Sequence, residues 1–139
     1  MTLLHEWDSM KPLSVEEWTD SKNFENNVRS WDLMMHKVAL FHSKYNFSDP
    51  INKGHDMGYR IALTVEELGE FAAAITKGKP ENEAAEELAD LLILILGHSL
   101  ALEIDLYQEF SKKIEKVMHR PVRHTKLGIR VTEYQDEQT

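Results

Sequence analysis

A chain of 139 residues with 16 basic and 24 acidic side chains, a formal net charge of −8 and no cysteine has the size of one domain with a core of its own. The acidic excess argues against a protein that grips DNA or RNA by the phosphates, which takes a basic stripe. The missing cysteine excludes disulfides, thiolate metal sites and a cysteine nucleophile. Residues 1–8 lack the basic start of a signal peptide, and the longest uncharged apolar stretch, residues 91–102, is too short to cross a bilayer, so a cytoplasmic protein is expected.

In chain order, residues 1–23 read as an N-terminal arm in which Ser14-Val15-Glu16-Glu17 forms a capping box for a short helix. A first long helix is predicted from about residue 24 to 45, because Phe24, Val28, Trp31, Met34, Met35, Val38, Leu40, Phe41 and Tyr45 recur at three- and four-residue intervals. Pro50, Gly54 and Gly58 interrupt it. A second helix is predicted over about 57–76 and stopped by Lys77-Gly78-Lys79-Pro80, a third over about 82–102, and a fourth from an N-cap at Asp105 to His119, before Pro121. Residues 24–120 thus form one helical domain. Residues 121–139 are a polar tail in which only 127–131 is expected to order, as a short strand. The expected fold is all-α and four-helix-bundle-like. Residues 91–96, Leu-Leu-Ile-Leu-Ile-Leu, are apolar on every side, more than three helices of one small chain can cover, so a homo-oligomer, dimer or tetramer, is expected to complete the core.

The charge is unevenly spread. Eight acids and two lysines lie between Glu66 and Asp90, a local net of −6, interleaved with Leu68, Phe71, Leu88, Leu91 and Leu92 at helical spacing. Glu67 and Glu70 share one face of the second helix, and Glu87 and Asp90 one face of the third. If the two helices run antiparallel about Gly78, eight residues after Glu70 and nine before Glu87, the pairs meet at one height. Two carboxylates about 5 Å apart repel by roughly 3 kcal/mol at an effective dielectric near 20, so four ionised together call for a cation. All-oxygen ligands favour Mg²⁺, with Mn²⁺ as the other candidate, over zinc. No glutamate has a histidine three residues on, against a di-iron bundle, and there is no glycine-rich phosphate loop, HExxH, EF-hand loop or GxSxG. The plainer alternative is that all four acids are solvated surface groups on ordinary helices.

Glu66-Glu67-Leu68-Gly69-Glu70, sixteen residues, then Glu87-Leu88-Ala89-Asp90 resembles the EExxE…ExxD signature of the MazG-like all-α nucleoside triphosphate pyrophosphohydrolases, a superfamily that includes dimeric dUTPases and phosphoribosyl-ATP pyrophosphohydrolases. The similarity runs from about residue 31 to 120 and takes in Phe41-His42-Ser43-Lys44-Tyr45, Arg60 and the stretch GHSLALEID over 97–105. The resemblance implies a MazG-type core and hydrolysis of a nucleoside triphosphate between the α- and β-phosphates, giving monophosphate and pyrophosphate in nucleotide-pool housekeeping. It implies Glu67, Glu70, Glu87 and Asp90 as magnesium ligands and Glu66 as general base for the attacking water; the plain alternative for Glu66 is a solvated glutamate.

Cations for the phosphates are sought on the fourth helix, where Lys113, Lys116 and Arg120 share a face; alternatively they complement the helix dipole. Lys113 matches the lysine that family members carry in this region, whereas Val117 stands in place of their asparagine. Trp31, His42 and Tyr45 are candidates to contact a nucleobase, and core packing is their alternative role. Two other functions fit the same acids: hydrolysis of phosphoribosyl-ATP, and a non-catalytic helical assembly protein that keeps the metal site.

Overall fold

The computed structural model describes residues 31–132. The capping box at 14–17 and the first turns of the predicted first helix lie outside the described residues. Among the described residues four helices follow one another: α1 (Trp31–Lys44), α2 (Met57–Thr76), α3 (Glu81–Leu102) and α4 (Leu106–Met118), then a two-stranded antiparallel ribbon of β1 (Val122–Thr125) and β2 (Gly128–Val131). The architecture is all-α, as the periodicity implied, with one small ribbon added.

Local chemistry sets the helix limits. The segment between α1 and α2 turns through Asn46 and Lys53, at φ 53° and 56°. It tightens at Gly54, where a Cβ would run into the backbone and ring of Phe47. Asp56 caps α2 by accepting from the Tyr59 backbone N–H at 2.9 Å. At the other end Gly78, at φ 64°, closes a Schellman turn: Lys79 N donates to Ala74 O at 3.0 Å and Gly78 N to Ile75 O at 3.2 Å. Pro80 then opens α3, which starts one residue earlier than predicted, with Glu81 and Glu83 in its first turn. Glu103, at φ 56°, ends it, and Asp105 caps α4 by accepting from Gln108 N at 3.1 Å.

The C-terminal region differs from the expectation of a single strand over 127–131. Val122–Thr125 pairs with Gly128–Val131 in the register Val122↔Val131, Arg123↔Arg130, His124↔Ile129 and Thr125↔Gly128. The Thr125 hydroxyl donates to Gly128 O at 2.8 Å and accepts from Leu127 N and Gly128 N at 3.2 Å, which fixes the two-residue turn. Four residues that include Arg123 and His124 show too little apolar alternation to read as a strand alone.

The most extensive packing is between α2 and α3, with α1 laid against α3. Val38, Ala74 and Leu96 are the buried apolar residues, and beside them His42, Arg60 and Ser99 are buried as polar groups. The apolar second half of α3 is only partly covered: Leu92, Ile93 and Ile95 remain 42–43% exposed. On α4, Phe110 and Met118 are exposed, and the Trp31 ring meets Tyr107 at 6.1 Å.

Candidate metal centre

The tight turn at 77–80 folds α3 back along α2 and brings acids from the two helices together. Carboxylate oxygens of Glu67, Glu70 and Glu87 lie within 4.8 Å of one another. Glu70 is exposed, while Glu67 and Glu87 are half-buried, and each of these two has one oxygen sealed from solvent with no hydrogen-bond donor. Such an oxygen costs free energy unless a proton or a cation satisfies it. Burial, first, then a hydrogen bond shared with Glu87 and the charges of Glu70, Asp90 and Glu87 push the Glu67 carboxyl up to about 7. Glu87 is also raised, chiefly by burial and helped by Glu70 and Asp90, with the hydrogen bond to Glu67 opposing. Below about pH 7 Glu67 is therefore protonated, and a divalent cation would compete with that proton. A hard, all-oxygen donor set with two undonated buried oxygens fits Mg²⁺ or Mn²⁺.

Asp90 stands outside the 4.8 Å group. It is exposed, at the edge of a groove of about 430 Å³ between α1 and α3 lined by Met34, Lys37, Val38, Phe41 and Ile93 among others, and reaches Glu67 through its charge. Three residues along a helix carry a side chain about 60° round the axis and 4.5 Å along it, enough to turn Asp90 from Glu87 toward α1. Glu66 is exposed beside Glu67.

The other sequence candidates are dispersed. Lys113 and Lys116 are exposed on α4 and, among the described residues, form no ion pair with the cluster; Arg120 is half-buried and has partners of its own. Trp31 is half-buried against Tyr107. His42 is buried, its Nδ1 is 2.8 Å from His55 Nε2, and its ring lies 4.8 Å from that of Phe47. Burial, then the charges of Arg60 and His55, lower its pKa to about 4, so it is neutral at pH 7. Tyr45 is 53% exposed, with Lys44 Nζ 5.4 Å from its ring centre.

A polar network that residue patterns did not reveal adjoins the cluster. Arg60, 3% exposed, donates from Nε to His98 Nδ1 at 2.9 Å, from Nη1 to Gly54 O at 2.9 Å and from Nη2 to Leu94 O at 3.1 Å. Thr64 donates to Arg60 O at 2.8 Å, and its hydroxyl is 2.8 Å from His98 Nε2. Since Arg60 has only protons to give, His98 must accept at Nδ1 and carry its own proton on Nε2, facing Thr64. Burial and the Arg60 charge lower the His98 pKa and keep it neutral. Gly97 leaves the room required: a Cβ there would collide with Arg60 Nη2 and stand 2.7 Å from His42 Nε2.

Residues 59–124 match the family model of the MazG nucleotide pyrophosphohydrolase domain, just under half of the chain. The match spans all four signature carboxylates, Glu66, the α4 cations, Arg60 and His98, and leaves out Trp31, His42 and Tyr45. Comparison with curated proteins and with solved structures gives no significant match. The carboxylate hairpin and the helix that follows it are therefore the part of the chain that matches the MazG nucleotide pyrophosphohydrolase domain.

Proposed function

We propose that the protein is a Mg²⁺-dependent nucleoside triphosphate pyrophosphohydrolase that cleaves between the α- and β-phosphates and releases a monophosphate and pyrophosphate. The observation that carries this reading is the convergence of Glu67, Glu70 and Glu87, with two buried oxygens that no donor satisfies, inside a region of this family. Glu67, Glu70 and Glu87 hold the metal, with Asp90 as fourth ligand. Bound Mg²⁺ supplies charge neutralisation for the phosphates and polarises the α-phosphorus. Glu66, exposed next to Glu67, takes a proton from water as the water oxygen bonds to the α-phosphorus, and the bond from that phosphorus to the bridging oxygen breaks as pyrophosphate leaves. Lys113, Lys116 and Arg120 bind phosphate oxygens, and Trp31, His42 and Tyr45 border the base. Of these three, Tyr45 is the most open to a ligand.

The working form is a homo-oligomer, a reading supported by the exposure of Leu92, Ile93 and Ile95 on a helix that is apolar on every side. A cytoplasmic protein acting on free nucleotides suits the acidic surface, and among the described residues no helix is long and apolar enough to cross a membrane.

Pyrophosphate release from a panel of ribo- and deoxyribonucleoside triphosphates and phosphoribosyl-ATP, with Mg²⁺, tests the reading. Glu67→Gln is expected to lower kcat by at least about a hundredfold, the scale of losing a ligand that positions transition-state charge. Absence of turnover on every substrate sinks the catalytic reading and favours a helical assembly protein. Faster turnover of phosphoribosyl-ATP than of any triphosphate reassigns the substrate.

A further inference from the structure

We infer that Arg60, Thr64 and His98 form a register lock: a closed ring of hydrogen bonds that fixes how far α2 slides along α3, and thereby which carboxylates face each other. Arg60 is a positioning residue in this scheme and touches neither metal nor substrate. Its effect on metal affinity rests on the reading of Glu67, Glu70 and Glu87 as a metal site, whereas its effect on helix register does not.

The ring closes on itself. Arg60 Nε donates to His98 Nδ1, His98 Nε2–H donates to the Thr64 hydroxyl, and that hydroxyl donates to the Arg60 carbonyl, one turn back on α2. A second arm of the guanidinium reaches the backbone of α3 at Leu94 O and a third ties the ring to the loop at Gly54 O. Among the described residues no carboxylate pairs with this buried cation. A buried guanidinium without a counter-charge is expensive, so it is poor as a stabilising element; the return lies in directional bonds from a rigid fork.

The numbering shows what the fork sets. Arg60 meets Leu94; seven residues on, Glu67 meets Glu87, seven residues back along α3. Seven residues are about two turns, so both contacts belong to one antiparallel register on one interhelical face. A slide of one turn, about 5.4 Å, would put Glu67 opposite Glu83 or Leu91 and dissolve the cluster. Apolar packing specifies this poorly, because Leu88, Leu91, Leu92 and Leu94 offer similar surfaces one turn apart. The repulsion among the acids works against the register that joins them. A directional polar lock supplies what neither can.

The chain has no cysteine, so paired thiols report the register cleanly. In the full-length protein carrying E67C and E87C, a short thiol-to-thiol cross-linker is expected to join the two helices. Adding R60K, which keeps the charge and loses the fork, or T64V, which removes one link at nearly constant volume, is expected to lower that yield at least about fivefold relative to an E67C and E83C pair. With the acids intact, R60K and T64V are each expected to weaken Mn²⁺ binding, read by calorimetry, at least about tenfold. V38A loosens the core on α1 without touching the ring and is expected to leave both readouts unchanged. Folded R60K and T64V proteins with unaltered cross-linking overturn the lock, as does an equal loss in V38A. If the wild-type chain binds no Mn²⁺, the metal reading fails, and the cross-linking ratio still decides the lock.

Discussion

Glu67 and His42 respond to acid in opposite senses. Glu67 ionises near 7 in the folded chain and near 4.5 as a free carboxyl, so between those values the folded state binds more protons and acidification stabilises it. Glu87 acts in the same direction. His42 titrates near 4 when folded against 6.5 when free, so the unfolded state binds the extra proton and acidification from 6.5 to 4 destabilises. Over the shared window the two largely offset one another, and a shallow dependence of Tm on pH is expected for the metal-free protein. E67Q removes the carboxyl's share, and its Tm is expected to fall more steeply than that of the wild type from pH 6.5 to 4; parallel curves contradict the assignment. Under the proposed function Mg²⁺ would compete with the same proton, so its stabilising effect should grow as pH rises through about 7, measured as the increase in Tm on adding Mg²⁺ at pH 6 and at pH 8.

The end of α2 and the start of α4 were legible because the chain marks them with capping chemistry, Gly78-Lys79-Pro80 and Asp105, whereas the cap at Asp56 emerged only from the structure. The approach of Glu67, Glu70 and Glu87 was legible for a similar reason, since i, i+3 spacing on two helices about one tight turn leaves few arrangements, whereas Asp90 falls outside the group. Arg60 was not legible as a structural device. An arginine that seeks two carbonyls and a neutral histidine leaves no complementary charge in the sequence to betray the pairing. Two of the hairpin's glycines, Gly78 and Gly69, are predicted to behave oppositely. Gly78→Ala places a Cβ at φ 64° and should cost about 1 kcal/mol. Gly69→Ala lies within α2 with nothing within 4 Å of the new Cβ and should stabilise by about 0.5–1 kcal/mol. Urea unfolding of the two variants checks both signs.

At the scale of the whole molecule, few apolar side chains among the described residues are fully buried, while Leu92, Ile93, Phe110 and Met118 stay open. A buried aliphatic side chain is worth about 1.5–3 kcal/mol, so this exposure leaves unused much of what holds a domain of this size together. Sedimentation across a concentration series is expected to show a species of two or four chains, and Ile93→Glu is expected to shift it toward the single chain and lower Tm. A wild-type protein that stays monomeric at all concentrations contradicts the reading. The acidic excess also acquires a location: its largest share lies on the α2–α3 hairpin, where it gathers carboxylates that could hold a cation, and under the proposed function a phosphate substrate would reach this part of the chain with the metal between the two negative partners.

The short turn at Gly78 also bears on the order in which the chain assembles. Everything that builds the carboxylate cluster lies within one pair of helices joined by a few residues, so the closing loop is small and its entropy cost low. Contacts this local form early, on the microsecond scale of helix growth and short-loop closure, before α1 can dock or a second chain can be met. The carboxylate cluster is therefore expected to take shape as the nascent hairpin leaves the ribosome. Substitutions in the turn should slow folding, while those on the open face of α3 should alter only the later, concentration-dependent step.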